Sequence, residues 1–319
     1  FRMSERRPPP AIAEAVTALR RGDLVAIPTE TVYGLAADAR NPDAVRKIFA
    51  LKGRPADHPL IVHISGADQL AQWAVDIPEA AYRLAERFWP GPLTFILNKR
   101  ADVPMEVTGG QDTIGLRCPD NALTLELLSQ FKGGLAAPSA NRFGRISPTA
   151  AQHVRDEFGE QAPLILDGGP CSIGIESTIV DLSRYPARIL RPGGISIERL
   201  RPFLPDIQAS GQEGSPRVSG SLEAHYAPLT PMRMLNRTEI ENTCNDNYVV
   251  LALSSVPDGM RGIALHAEPE AYAKDLYAAL RALDALHADC ILLEQPPDGA
   301  AWLAVTDRIK RAIVGSNPN

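Results

Sequence analysis

Short apolar runs alternate with amphipathic stretches through the first part of the chain. Runs typical of buried strands lie at 24–28, 60–64, 93–97, 113–117, 135–137, 164–166, 178–182 and 188–190. Apolar residues at helical spacing occur at 11–21, before Gly22, and at 78–89. Asn41 followed by Pro42 is typical of a capped helix start. The alternation predicts an α/β domain built on a twisted, open mixed sheet.

This rhythm breaks at 204–230, where Gly and Pro lie among polar residues without an apolar period. Beyond the break, strand runs at 248–253 and 290–293 and helical patterns at 270–286 and 299–313 predict a smaller, Rossmann-like α/β domain. The predicted organisation is a first domain (1–205), a long linker (206–230) and a C-terminal domain (231–319).

Composition agrees with two domains, since 319 residues at roughly 150 per domain is about two. The net charge of −5 is uneven: 24 basic and 23 acidic residues give +1 over 1–205, whereas 9 and 15 give −6 over 206–319. Anion-binding chemistry is therefore expected in the first domain. Four cysteines without a CxxC pair predict reduced thiols, and the absence of a long apolar run predicts a cytoplasmic protein with no membrane contact.

The common catalytic signatures are absent. The chain has no phosphate-binding loop of the GxxxxGK[ST] type, no GxGxxG, no HExxH and no GxSxG. His58 and His63 lie five residues apart around a proline, a spacing that suits neither a helix face nor a strand face. No protein-bound metal is expected.

Polar side chains cluster instead where predicted strands and helices end. Glu30 and its threonine neighbours follow the first strand, Lys52 and Arg54 follow a helix, and Arg117 ends an apolar strand. Ser139, Asn141, Arg142 and Arg145 crowd a later loop. Ligands bind beyond strand ends in open α/β sheets, and hydroxyls with Lys and Arg can hold a triphosphate.

Each of these groups also has a purely structural interpretation. Lys52 and Arg54 can stabilise the negative end of the preceding helix, and His63 can be a core histidine with one hydrogen bond. The threonines and the serine can be turn hydroxyls. Their joint occurrence in an otherwise apolar framework favours a binding site.

In order along the chain, eight blocks resemble the YrdC-type threonylcarbamoyl-AMP synthases. The blocks are PTETVYGL from Pro28, KGRP from Lys52, PLIVH from Pro59, WPGPLT from Trp89, PSAN from Pro138, ESTIVD from Glu176 and LRPG from Leu190, and an eighth, IGLR from Ile114, lies between the fourth and the fifth. His225-Tyr226-Ala227-Pro228 resembles the linker of the long, two-domain form. The resemblance covers about 24–230 by motif.

The resemblance implies a nucleotidyltransferase that joins L-threonine, bicarbonate or CO2, and ATP into threonylcarbamoyl-AMP and releases pyrophosphate. Mg2+ would accompany ATP. A separate tRNA threonylcarbamoyl transferase machinery would then move the group to adenosine 37 of tRNA, so tRNA contact would be at most transient. Such chemistry needs no enzyme nucleophile, in keeping with the absent signatures.

Matched position by position, the resemblance also implies a set of site residues. L-Threonine would be held by Thr31, His63, Arg117, the backbone at Ala137 and Ser177. ATP would be contacted by Lys52, Arg54, His58, Thr113, Ser139, Ser147, Arg191 and Tyr226, with Lys52 and Arg54 assigned as catalytic. His58 stands where the family often has Asn, so part of the amide's hydrogen-bonding pattern is lost there.

Two alternatives stay open at this point. One is a related carbamoyl-AMP enzyme of the hydrogenase-maturation type, although the chain lacks the length and cysteines of those proteins. The other is a double-stranded RNA-binding module, which a balance of +1 supports little. The long linker further predicts a lid in which Tyr226 closes over the nucleotide, the alternative being that Tyr226 only packs against the second domain.

Overall fold

The computed structural model describes residues 10–209, 214–243 and 245–317, and its first domain is built on a mixed sheet of ten strands. The strands are β1 (Val25–Ile27), β2 (Gly34–Asp38), β3 (Ile61–His63), β4 (Ala74–Val75), β5 (Leu93–Lys99), β6 (Thr113–Arg117), β7 (Leu135–Ala136), β8 (Leu164–Ile165), β9 (Thr178–Asp181) and β10 (Arg188–Arg191). Their order is β10-β9-β5-β6-β3-β7-β2-β1-β8, with β4 paired to β5. The mixed sheet predicted from the apolar runs is confirmed.

Helices of this domain pack on the sheet. They are α1 (Pro10–Arg20), α2 (Pro42–Lys52), α3 (Glu79–Phe88), α4 (Met105–Thr108), α5 (Ala122–Phe131), α6 (Ala151–Phe158) and α7 (Ile197–Leu200). The predicted start of α2 is confirmed, because the Asn41 side chain accepts hydrogen bonds from the backbone N–H groups of Asp43 and Ala44. Gly53 ends α2 in the left-handed region at φ +63°.

The C-terminal domain has a separate parallel sheet. Its elements are β11 (Met232–Leu235), α8 (Arg237–Glu241), β12 (Tyr248–Leu253), β13 (Arg261–Leu265), α9 (Pro269–Asp284), β14 (Cys290–Glu294) and α10 (Leu303–Ser316). The strand order is β11-β14-β12-β13, and all neighbours are parallel. This is the smaller α/β domain that the second half of the chain predicts.

The two domains share an apolar core. Val32, Ile146 and Ile175 of the first domain belong to the same buried cluster as Tyr272 and Leu276 of α9. Tyr226 of the linker belongs to the same cluster and is 1% exposed. The linker residues 210–213 are outside the described part of the chain.

Other sequence-based expectations concern cysteines and membranes. Cys118, Cys171 and Cys290 are free and buried, and Cys244 lies outside the described residues. Within the described ranges, no helix combines the length and apolarity of a membrane span.

Candidate active site

A partly open cavity lies between the first domain and the linker, with about 540 Å³ of empty space when the part open to solvent is included. Eight of the predicted site residues line it: Thr31, Arg54, His63, Arg117, Ala137, Ser139, Arg191 and Tyr226. The linker contributes Ser219, Gly220 and His225 to its wall. The structure thus brings together residues that are up to 195 positions apart in the sequence.

The turn after β1 forms one end of the cavity. The Thr29 hydroxyl donates to the Val32 carbonyl (2.6 Å) and accepts from the backbone N–H groups of Thr31 and Val32 (both 3.2 Å). The Thr29 and Thr31 hydroxyl oxygens are 2.9 Å apart. Thr29 is thus a turn hydroxyl, as its structural interpretation holds, and the turn it closes presents Thr31 to the cavity.

Next to this turn, β3 and β6 end in His63 and Arg117. The strands run parallel, and His63 and Arg117 are register partners. Both side chains are therefore delivered to the same edge of the sheet.

Arg117 is buried and already carries one ionic partner. Its Nη2 donates to Glu30, whose other carboxylate oxygen accepts from the Asp120 backbone N–H at 2.7 Å. The Arg117 Nε has no hydrogen-bond partner among the described residues. A buried guanidinium with a free donor has the chemistry to bind a carboxylate.

His63 is a neutral imidazole. Its Nδ1 lies 3.3 Å from the Ile61 carbonyl oxygen. Burial, with Arg117 nearby, lowers the pKa of His63 to about 3. A neutral imidazole can orient a ligand beside the Arg117 cation without adding a second positive charge.

Lys52, the last residue of α2, lies behind the cavity wall and holds the loop that contains Ser139. Its Nζ donates to the carbonyls of Ser139 and Asn141, and the Phe143 N–H donates back to the Lys52 carbonyl at 2.8 Å. Burial, with Arg54 nearby, lowers the pKa of Lys52 well below its ordinary value. In this structure Lys52 fixes the Ser139 loop and is not among the lining residues.

Two arginines in the cavity wall donate hydrogen bonds to the linker. Arg54 Nη2 donates to the Pro59 carbonyl (2.9 Å) and to the Ser219 hydroxyl (3.2 Å), while its buried Nε has no partner within the described chain. Arg191 donates to the Ser177 carbonyl (3.0 Å), the Ser177 hydroxyl (3.1 Å) and the Ser219 carbonyl (2.9 Å). Both guanidiniums therefore position Ser219. They give the linker side of the cavity two positive charges.

Tyr226 joins the cavity to the second domain. Its ring stacks on Tyr277 of α9 with ring centroids 5.7 Å apart, and its hydroxyl has no partner among the residues described. The His225 Nδ1 accepts from the Tyr226 backbone N–H at 2.9 Å. Tyr226 thus lines the cavity and also packs against the C-terminal domain, so it does not pack against that domain alone.

The other predicted site residues lie near the cavity without lining it. Ser177 lies under Arg191, and the ring of His58 packs edge-on against Phe143 with centroids 5.2 Å apart. Ser147 donates to Glu176 at 2.6 Å. Thr113 lines a neighbouring groove of about 260 Å³, which Ser219 also borders.

Glu176 is a lining residue to which the motif blocks assign no role. Its carboxylate accepts from Ser147, from the Tyr277 hydroxyl (2.8 Å) and from Arg308 Nε (2.9 Å). Although burial opposes ionisation, Arg308 and Arg191 hold the pKa of Glu176 down to about 2. The only sequence signal for a role of Glu176 is its position directly before Ser177, a predicted substrate-site residue.

Comparison with known proteins connects this geometry to a family. The Sua5_yciO_yrdC family model, described as telomere recombination, matches residues 17–193, and the threonylcarbamoyl-AMP synthase C-terminal domain model matches 195–313. The threonylcarbamoyl-AMP synthase of Pyrococcus abyssi is 38% identical over 92% of this chain and 91% of its own. That of Bacillus subtilis is 39% identical over 96% and 94%.

A solved structure is equally similar. The crystal structure of P. abyssi Sua5 complexed with L-threonine has a TM-score of 0.89, with 38% identity, and covers 96% of this chain and 94% of that one. These relatives do not favour the double-stranded RNA-binding or carbamoyl-AMP alternatives.

Proposed function

The chain belongs to the threonylcarbamoyl-AMP synthase family, and from that premise we propose that it joins L-threonine, bicarbonate or CO2, and ATP into L-threonylcarbamoyl-AMP and releases pyrophosphate. The observation that carries the proposal is that one cavity has two chemically different ends, one suited to an amino acid and one suited to a triphosphate. His63 and Arg117 lie at one end, and Arg54 and Arg191 lie along the linker side.

The end near β3 and β6 suits an amino acid. The guanidinium of Arg117 would bind the threonine carboxylate, with Thr31 and neutral His63 orienting the rest of the molecule. Ala137 would contribute its backbone and Ser177 its hydroxyl, which Arg191 holds from the linker side. The solved relative is described as complexed with L-threonine, in keeping with this assignment.

The linker side suits a triphosphate. Arg54 and Arg191 supply positive charge where phosphates would lie, and Ser139 is presented by the loop that Lys52 holds. Thr113 would contact ATP from the neighbouring groove. Ser147 would act on ATP through Glu176, to which it donates, and His58 would contact ATP at the edge of the cavity. Arg54 remains our catalytic assignment, whereas Lys52, which was expected to be catalytic too, would act as a positioning residue through the loop that it holds.

The chemistry then needs two steps. The threonine nitrogen attacks the carbon of CO2, loses a proton and becomes a carbamate. A carbamate oxygen attacks the α-phosphorus of ATP, and the bond to the bridging oxygen breaks so that pyrophosphate leaves with the electron pair. The protein's contribution is to position both reactants and to stabilise phosphate charge with preorganised guanidiniums.

Mg2+ is proposed to enter with ATP. The carboxylate of Glu176 already accepts from Ser147, Tyr277 and Arg308, so the lining donors fit phosphate oxygens better than a protein-held cation. Within the described residues, no three His, Cys, Asp or Glu side chains group as metal ligands. Bound Mg2+ would neutralise phosphate charge during pyrophosphate departure.

Tyr226 would close the site. A mixed carboxylic–phosphoric anhydride is readily hydrolysed, and a buried ring from the linker excludes water from it. We further propose that the product passes to a separate tRNA threonylcarbamoyl transferase machinery in the cytoplasm for modification of adenosine 37, with at most transient contact with tRNA.

Product identification tests the proposal. The full chain, incubated with ATP, Mg2+, L-threonine and 13C-bicarbonate, should form a compound with the mass of threonylcarbamoyl-AMP that carries one 13C. The label should be lost when unlabelled bicarbonate is used. A threonine-containing product without the 13C label, or AMP with no threonine adduct even at short times, would contradict it.

A further inference from the structure

The fully buried arginine of the C-terminal domain reaches into the wall of the cavity. Arg308 of α10 is 0% exposed, and its Nε donates to Glu176 at 2.9 Å across 132 residues of sequence. Its Nη2 also lies 3.3 Å from the Glu176 carbonyl oxygen. The guanidinium thus contacts both the backbone and the carboxylate of a lining residue.

We propose that Arg308 is a positioning residue for the adenylation reaction: it neutralises and holds the Glu176 carboxylate, so that the C-terminal domain completes the nucleotide side of the active site. The proposal rests on the proposed function, since it requires ATP to occupy this cavity.

Charge explains why a partner is needed. Glu176 lines the same cavity as Arg54 and Arg191, the cations proposed for the triphosphate. Left without its partner, a buried carboxylate there would repel the phosphates and draw Arg191 away from Ser177 and Ser219. Arg308 stabilises the carboxylate from the far side of the wall, although its Nη1 also donates to Asp307 at 2.8 Å, a second carboxylate that Arg311 Nε contacts at 3.1 Å.

Geometry gives Arg308 a second contact with the site. Its guanidinium carbon lies 5.5 Å from the centroid of the Tyr226 ring, which itself stacks on Tyr277. Tyr277 also donates its hydroxyl to Glu176. One cluster therefore joins the first domain, the linker and the C-terminal domain beside the cavity.

A second ion pair across the domain junction provides a matched control. Arg281 of α9 donates to Glu157 of α6 at 3.1 Å and to the Ile146 carbonyl. Neither Arg281 nor Glu157 lines the cavity. Arg308→Met and Arg281→Met therefore each remove one positive charge from the same junction, and only the first takes the ion-pair partner away from a carboxylate that lines the cavity.

The experiment is calorimetry on the full chain saturated with L-threonine, using Mg2+ and the non-cleavable α,β-methylene analogue of ATP. Arg308→Met should weaken analogue binding at least tenfold, whereas Arg281→Met should change it less than threefold. The Kd for L-threonine, measured separately, should change less than threefold in both variants. Thermal unfolding of each variant checks that it is folded.

Rescue separates charge from mere contact. Adding Glu176→Gln to Arg308→Met should restore analogue affinity to within threefold of wild type, because the amide keeps the shape without the charge. If Arg308→Met fails to fold, Glu176→Gln alone decides, since the proposal expects analogue binding to be retained or tighter.

Three results would overturn the inference: equal losses in the two arginine variants, no rescue in the double variant, or a tenfold loss from Glu176→Gln alone. A wild-type chain that binds L-threonine and not the analogue would instead contradict the proposed function. The two failures are therefore distinguishable.

Discussion

Arg117 and Glu30 form a buried ion pair in which the arginine keeps one donor free. Arg117 Nη2 donates to Glu30, both side chains are at most 5% exposed, and Nε has no partner among the described residues. Asp120 fixes the other Glu30 oxygen through its backbone N–H. Glu30 therefore sets the direction in which the remaining guanidinium edge meets a ligand.

Replacing Arg117 by Ala should abolish measurable threonine binding while leaving affinity for the ATP analogue within a few fold. The same change leaves Glu30 buried without its cation, which costs on the order of 3–5 kcal/mol of folding free energy. Adding Glu30→Gln should recover much of that stability and none of the threonine affinity. Calorimetry and chemical denaturation measure the two effects; a parallel loss of both affinities would place Arg117 on the nucleotide or in a purely structural role.

Serine should be a poorer substrate than threonine. A site closed around the threonine methyl group discriminates against its loss by about 1–3 kcal/mol, or roughly 10–200-fold in kcat/KM. Val32 and Ala137 line the cavity beside Thr31 and supply apolar surface for the methyl. Steady-state pyrophosphate release with each amino acid gives the ratio, and equal kcat/KM values would contradict a closed methyl site.

Gly220→Ala should disturb the proposed lid. Gly220 has φ +76°, and a Cβ there would lie 2.1 Å from the Tyr226 hydroxyl, so the ring or the linker must move. We expect Gly220→Ala and Tyr226→Ala to raise the ratio of free AMP to threonylcarbamoyl-AMP severalfold, as measured by chromatography.

The control for this lid experiment is another linker glycine. Gly214 has φ +85°, and a Cβ there would meet nothing within 4 Å, so Gly214→Ala shares the backbone strain without the contact. An unchanged product ratio in Tyr226→Ala, or an equal increase in Gly214→Ala, would leave the linker as a tether.

Stability should fall as the solution is acidified below about pH 6.5. Burial lowers the pKa of His63 and of His225 to about 3, so the unfolded chain takes up protons between about pH 6.5 and 3 that the folded chain does not. Their contribution is fully present above about pH 6.5 and is lost as the pH decreases. Each adds a slope of about 1.4 kcal/mol per pH unit below about pH 6.

His225→Asn tests this slope. The Asn side-chain oxygen can still accept from the Tyr226 backbone N–H, and the titrating ring is gone. Denaturant unfolding at pH 7.5, 6.0 and 5.0 should show a shallower decline in the free energy of unfolding than wild type. An identical decline would mean that His225 is not buried in its neutral form.

Local signals explain which elements the sequence could predict. The bounds of β6 and β12 match their apolar runs residue for residue, and α2 begins where Asn41 and Pro42 indicate. The pattern does not predict β2, because Gly-Leu-Ala-Ala-Asp has neither β-branched residues nor alternation, and its burial comes from its neighbours β1 and β7. Nor does it predict α5, although Asn121 caps this helix, because the buried face at Thr124, Leu127, Leu128 and Phe131 includes a threonine, while Leu123 and Leu125 lie outside that face.

The residues of the site likewise fall into those that local sequence patterns could locate and those that they could not. Motif blocks locate most of the residues that line the cavity, because these lie beside strand or helix ends that local pattern can place, whereas Ser219 and Gly220 of the linker lie in no block. The partner of Glu176 could not be found, since Arg308 lies 132 residues away and is in sequence one more charge on an amphipathic helix. Only packing of the two domains brings that pair together.

The most direct test of the account is pyrophosphate release from ATP by the full chain, with L-threonine and bicarbonate each omitted in turn from degassed buffer. We expect release in the complete mixture and a decrease of at least tenfold when either is absent, because the attacking group is a carbamate made from both. Undiminished release without threonine, or without bicarbonate, would contradict the assignment of this cavity to threonylcarbamoyl-AMP synthesis.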